Sequence, residues 1–209
     1  MASLIFTMTK KDIKAFFRSI SDGDLHTVSA LITSDKAYLS LTNFSPPKKD
    51  DGQSPLQMAF KTGNFDIVRL LIENGADVNF QEVSAINDWT APVLHDAIRA
   101  TIFNTYTLQK DSSKFNKAFS LLQLMLANKA NPNATDSFGN NCLHRAILDA
   151  RQMIDNPGAN ISNGILLDQL RNVFAALINA GADKKMPTDK SSGAVELISN
   201  FRLEKYQLM

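Results

Sequence analysis

Residues 70–79 read LLIENGADVN, and two later stretches share the pattern: LMLANKANPN at 124–133 and ALINAGADKK at 176–185. Each has an apolar triplet, a short polar turn, then Ala followed by Asp or Asn. A second motif precedes each one: DGQSPLQMA at 51–59, WTAPVLHDA at 89–97 and FGNNCLHRA at 138–146. Aligned on their final alanines, these superpose Leu56, Leu94 and Leu143, followed by Gln57, His95 and His144. Two motifs recurring three times in one order mark internal repeats, each a supersecondary unit that needs neighbours to bury its apolar face.

The local chemistry of each motif points to helices. Ser54-Pro55 supplies an N-cap followed by proline at the first helical position, where its missing N–H costs nothing. Leu56, Ala59 and Phe60 recur at helical spacing, as do Ile67, Leu70 and Leu71, which predicts two short amphipathic helices. Gly75 and Gly181 sit just past apolar helical runs, where glycine takes the left-handed conformation that ends a helix.

These motifs resemble the ankyrin repeat, which reads approximately D-x-x-G-x-T-P-L-H-x-A, then G-x-x-x-[IV]-V, then L-L-x-x-G-A-x-x-N. The best match runs from Asp51-Gly52-Gln53-Ser54-Pro55-Leu56 through Gly63, Ile67-Val68 and Leu70-Leu71 to Gly75-Ala76-Asp77-Val78-Asn79. Asp136-Ser137-Phe138-Gly139-Asn140-Asn141-Cys142-Leu143-His144-Arg145-Ala146 is nearly as good. The resemblance implies an all-α solenoid of stacked helix-turn-helix units in a single domain over residues 1–209. It divides into an N-terminal cap at about 11–46, units at 47–79, 80–133 and 134–185, and a C-terminal cap at 186–209. In the first cap Gly23, Val28, Leu31 and Ile32 match Gly63, Val68, Leu71 and Ile72. The last begins with Ser192-Gly193-Ala194-Val195-Glu196-Leu197.

The spacing departs from the family's period of roughly 33 residues. Asn79 to Asn133 is 54 residues and Asn133 to Lys185 is 52. The extra residues fall between the two helices of the third and fourth units, which predicts two elongated helical hairpins side by side. Ile98, Ile102 and Tyr106 continue one helix, and Phe115, Phe119, Leu122 and Met125 lengthen its return. Ile147, Leu148 and Ile154 do likewise in the fourth unit, with Asn156-Pro157-Gly158 as the turn. Phe103, Tyr106, Phe115 and Phe119 are expected to pack between the extensions; the alternative is an apolar groove for a partner helix.

Bulk properties narrow the function. The formal net charge is +1, with no basic block, which gives no electrostatic reason for a nucleic-acid partner. No apolar run approaches the roughly 20 residues that span a bilayer, and residues 1–8 lack the features of a secretory leader. Cys142 is the single cysteine, so no intramolecular disulfide forms. The expectation is a soluble cytoplasmic protein, and the Asn-x-Ser/Thr matches at Asn43, Asn133 and Asn160 are read as chance.

Candidates for chemistry are few. The ankyrin resemblance implies that His95 and His144 hydrogen-bond neighbouring turn backbone and order the stack. Cys142 and His144 lie two residues apart at a helix start, where side chains diverge, and no third group orients a base. Three scattered histidines and one cysteine do not form zinc-ligand spacing, and no phosphate-cradling glycine loop is present. No cofactor or metal is expected, and an enzyme is the weakest of the readings.

The resemblance points instead to another protein as partner, bound on turn tips and the inner-helix face by a chain that is monomeric when free. Carried over by alignment, the contact residues are Asp50, Asp51, Asp88, Trp89 and Phe138 on the tips, with Lys61, Arg99 and Asp149 on the helices. Trp89 is the only tryptophan, and tryptophan and arginine are enriched in interface hot spots. Thr90 replaces the usual glycine, so Trp89 either stands exposed or folds back onto residues 80–88. A rival interface uses the elongated hairpins through Phe103, Tyr106 or Phe115. Free-standing arrays with enlarged units resemble in style the secreted effectors of intracellular bacteria, which act in host cytoplasm. The segment ending at Asn79 also resembles ankyrin sites of asparaginyl hydroxylation.

Overall fold

The computed structural model describes residues 8–44, 46–107, 110–187 and 193–209, and in them the chain is all-α. Residues 1–7, read above for a leader, and Ser192 of the last helix-start motif lie outside the described residues. The helices are α1 (Lys10–Asp22), α2 (Leu25–Ser34), α3 (Pro55–Thr62), α4 (Phe65–Glu73), α5 (Val93–Phe103), α6 (Ser113–Ala127), α7 (Cys142–Ile154), α8 (Ile165–Asn179) and α9 (Ala194–Asn200). They fall in two compact units, one formed by Met1–Asp77 with Val83–Asn87 and the other by Val78–Glu82 with Asp88–Met209.

In the first unit α1 packs on α3 and α2 on α4. Thr9 and Asp12 close a capping box on α1, and Ser54 and Gln57 close one on α3. Both helices end in left-handed glycines, Gly23 and Gly63. Asn64 then reaches back to donate to the Ile20 carbonyl at 2.7 Å, tying the second helical pair to the first. Phe16, Ile20, Val28, Ile32, Ala59, Val68 and Leu71 are fully buried; of the residues placed at helical spacing, Leu56, Ala59, Phe60, Ile67 and Leu71 are buried and Leu70 is half-buried. Gly52 is required here: with φ +82°, an added Cβ would lie 2.1 Å from the Val83 carbonyl oxygen.

The second unit holds the lengthened repeats. α5 packs against α6, α7 and α8, and α7 against α8 and α9. Where α3 and α4 have 8 and 9 residues, α5 to α8 have 11, 15, 13 and 15. The rest of the extra length lies in the connections at 104–112 and 155–164 and, in the third unit, also in the segment 80–92 ahead of α5, whereas the sequence expectation puts it between the helices. The connection at 155–164 contains the expected turn, in which Gly158 N–H donates to Asn156 Oδ1 at 2.8 Å.

One helix end differs from the sequence expectation. α5 stops at Phe103 and does not continue to Tyr106. The cause is side-chain competition for backbone carbonyls: Thr101, Asn104 and Thr105 hydrogen-bond to the carbonyls of Ala97, Ala100 and Ile102. The Tyr106 N–H, freed from the helix, donates to Gln169 Oε1 of α8 at 2.6 Å. The four aromatics also divide. Phe115 is buried and stacks on half-buried Phe119 with centroids 5.5 Å apart, whereas Phe103 stays 42% exposed.

Asparagines stitch successive loops together within the second unit. Asn79 Nδ2 donates to the Lys129 carbonyl at 3.1 Å, and Asn131 N–H returns a bond to Asn79 Oδ1 at 2.7 Å. Asn133 repeats the pattern one unit on, with Gly181 and Asp183.

Candidate functional site

Asp136 anchors a turn tip in the second unit. Its Oδ1 accepts from the backbone N–H groups of Phe138 and Asn140, both at 2.9 Å, and its Oδ2 accepts from Trp89 Nε1 at 3.3 Å. Ser137 fastens the preceding tip: its N–H donates to the Thr90 carbonyl at 3.0 Å and its hydroxyl to the Asp88 carbonyl at 3.0 Å. The Thr90 N–H donates to the Ser137 hydroxyl oxygen at 3.1 Å. Two adjacent tips are thus closed against each other, which brings Asp88, Trp89 and Phe138 together. Trp89 is half-buried and Phe138 is 46% exposed.

Behind the tips stands Arg99 of α5. Its guanidinium lies 6.0 Å from the Trp89 ring centroid and 5.8 Å from that of Phe103, both within cation–π range. Its Nε is 3.8 Å from Asp149 Oδ1 on α7. Asp149 is fully buried and is clasped by Arg145, whose Nε and Nη2 reach it at 3.0 and 2.5 Å. Burial raises the Asp149 pKa above the usual carboxylate value, and the Arg145 and Arg99 guanidiniums pull it back. Asp149 therefore faces inward and orients arginines; its carboxylate is not presented at the surface.

Of the eight residues singled out from sequence, Asp88, Trp89, Arg99, Phe138 and Asp149 lie in this second unit. Asp50, Asp51 and Lys61 lie in the first. There Asp50 is buried against the Lys61 ammonium, and Asp51 accepts from the Ser84 hydroxyl at 2.7 Å. Sequence reasoning missed Arg145 and Asp136. Arg145 carried a usable signal, since it stands four residues before Asp149 on one helix face.

The histidines occupy matching places with different surroundings. His144 Nδ1 lies 2.8 Å from Asn141 Oδ1, the side chain that also caps α7. The equivalent N-cap of α5 is Pro92, which makes no side-chain cap bond. His95, 1% exposed, has no hydrogen-bond partner at either ring nitrogen among the described residues. The turn-backbone bond expected of it is therefore missing among the described residues, and Pro92 offers no side-chain acceptor of the kind that Asn141 gives His144. Burial pushes the His95 pKa down to about 3; Asp136 opposes the shift, and Arg145, Arg99 and His144 add to it. Cys142 is fully buried, and burial raises its thiol pKa well above the ordinary value, which suppresses the nucleophilic thiolate.

Among the described residues no helix is long and apolar enough to cross a membrane, and no three His, Cys, Asp or Glu side chains group as metal ligands. The arrangement offers aromatic faces and a part-exposed guanidinium set between two rings and a buried carboxylate, which suit recognition of another molecule's surface.

The family model for ankyrin repeats (three copies) matches residues 4–106. The chain is also similar to the ankyrin repeat and SAM domain-containing protein 6 of Rattus norvegicus, with 32% identity over 75 residues. That alignment takes in 36% of this chain and 8% of the relative, so the chain spans a small part of the relative's length.

Proposed function

Because the chain belongs to the ankyrin-repeat family, whose repeats generally mediate protein–protein interaction, we propose that it is a non-enzymatic adaptor whose partner protein seats on the Trp89–Arg99–Phe138 cluster. The observation that carries this reading is the support given to Arg99. Two rings flank its guanidinium and a buried carboxylate stands behind it, so little side-chain entropy is lost when a partner docks. Phe138 adds exposed apolar surface on the tip that is closed against the Trp89 tip. Aromatic and arginine anchors of this kind dominate interface energetics, and rim charges such as Asp88 steer the encounter.

Asp149 serves this site from beneath by holding Arg99. Asp50, Asp51 and Lys61 form a separate contact group in the first unit. The division into units at 11–46, 47–79, 80–133, 134–185 and 186–209, a cytoplasmic location and a monomeric free state belong to the same proposal. The rival hairpin interface keeps only Phe103 as an exposed aromatic. Because Phe103 packs over Arg99, it joins the same surface.

The test uses a partner recovered by affinity capture and verified in direct binding. The double variant Trp89→Ala/Phe138→Ala binds it at least thirtyfold more weakly, about 2 kcal/mol, while remaining folded with a single cooperative urea transition. Unaltered affinity rejects this face as the interface.

A further inference from the structure

A second feature lies wholly within the first unit. A cavity of about 340 Å³ opens beside α1 and α3 and the segment Pro46–Asp50. Its apolar lining is Phe17 and Met58, both nearly buried, together with the exposed rings of Pro46 and Pro47. Lys14 and Arg18 enter from α1, one turn apart and on either side of Phe17 along the helix, so both cations share the cavity's edge. Asp50 is the single carboxylate in the lining, and the Lys61 ammonium already occupies it.

The charges at the mouth are unbalanced. Lys14 lies over the Phe44 ring at 5.7 Å, and no ion pair holds it among the described residues. Lys48 and Lys49 follow Pro47 in a short 3-10 turn and stand exposed, likewise without an ion pair among the described residues. Among the described residues Arg18 pairs with Asp22 alone, at 3.6 Å and with both side chains largely in solvent, a pairing too weak to fix it. An apolar floor is thus edged by two cations, Lys14 and Arg18, with Lys48 and Lys49 next in the chain after the lining residue Pro47, in a chain whose formal net charge is only +1. The volume is near the lower end for ligand pockets, roughly 300–1,000 Å³. It takes one or two side chains rather than a helix.

We infer that this cavity is a docking site for an extended acidic segment of a partner protein, one that inserts a large apolar side chain beside aspartate or glutamate. The apolar side chain meets Phe17 and Met58, and the flanking carboxylates meet Lys14, Arg18 and the Lys48–Lys49 pair. The inference rests on the reading of the chain as a protein-binding module, but not on the Trp89–Arg99–Phe138 cluster.

Phage display of random heptapeptides against the full chain tests it, followed by fluorescence anisotropy on the enriched peptides. The selected sequences carry Asp or Glu next to Phe, Leu or Trp. They bind Lys14→Glu/Arg18→Glu at least tenfold more weakly, bind Lys14→Arg/Arg18→Lys within about twofold of the wild type, and are unaffected by Trp89→Ala/Phe138→Ala. Because Lys14 and Arg18 are exposed, the charge reversal leaves the fold intact, which the urea midpoint checks. Selection without acidic enrichment, or acidic peptides indifferent to the charge reversal, overturns the inference. So does displacement of the peptides by polyphosphate at equal charge concentration, because the apolar floor would then contribute nothing. Peptides lost with Trp89→Ala/Phe138→Ala but not with Lys14→Glu/Arg18→Glu overturn the cavity while leaving partner binding by the chain intact.

Discussion

Lys129 has φ +65° at the place where Gly75 and Gly181 end the equivalent helices. The N–H of Ala130 reaches the Met125 carbonyl and that of Lys129 reaches Leu126, the same bond pair made after α4 and α8. A side chain in the left-handed region costs roughly 1 kcal/mol, whereas the two glycines accept it freely. Lys129→Gly is therefore expected to stabilise the chain by about 1 kcal/mol in urea unfolding, less any gain in unfolded-state entropy. A loss of stability would show that the lysine side chain contributes more than its backbone strain costs. His95 yields a second residue-scale expectation. Its pKa is about 3 folded against 6.5 unfolded, so between these values the unfolded chain binds more protons. Its contribution is complete above pH 6.5 and shrinks as the pH falls toward 3. His95→Leu should lose less stability than the wild type between pH 6.5 and pH 4.5. Parallel pH profiles for the two would refute burial of a neutral His95.

At the scale of helices, α5 and α7 are joined by more than apolar packing. Asp149 ties Arg145 of its own helix to Arg99 of α5. Replacing Asp149 by leucine leaves Arg145, almost buried, without its counter-charge. Breaking a buried pair from one side costs roughly 3–5 kcal/mol. Asp149→Leu should lower the unfolding free energy measured in urea by that amount; a change under about 1 kcal/mol would mean that the pair is not desolvated. Helix starts and stops were legible in sequence where a single residue decides them: Ser54-Pro55 opens α3, and Gly75 and Gly181 follow α4 and α8. The end of α5 was not. Its apolar spacing runs on to Tyr106, and the stop comes from three polar side chains turning back onto carbonyls, an effect that hydrophobic periodicity does not register. The orphaned His95 was also hidden. It became visible only when Pro92 proved to occupy the cap position that Ser54 and Asn141 fill elsewhere.

For the molecule as a whole, the repeat identity rested on motifs that recur, and the family match agrees with them over residues 4–106. The candidate site was legible in part. Turn register placed Trp89 and Phe138 on tips and Arg99 on an inner helix. That Asp149 and Asp50 lie buried could not be read from the same register, because alignment gives a position along the repeat and not the depth of its side chain. Asp136 and Arg145, which hold the tips and the arginine from below, belong to different motif positions whose convergence requires the folded chain. The central claim is that partner protein engages the tips at 88–90 and 136–140 together with α5. Hydrogen exchange of the full chain with and without a verified partner tests it most directly. The expected result is slowed exchange at the backbone amides of 88–90, 93–103 and 136–140, with α9 unchanged. Protection confined to α9 or to the connection at 155–164, with these segments unaltered, would contradict it.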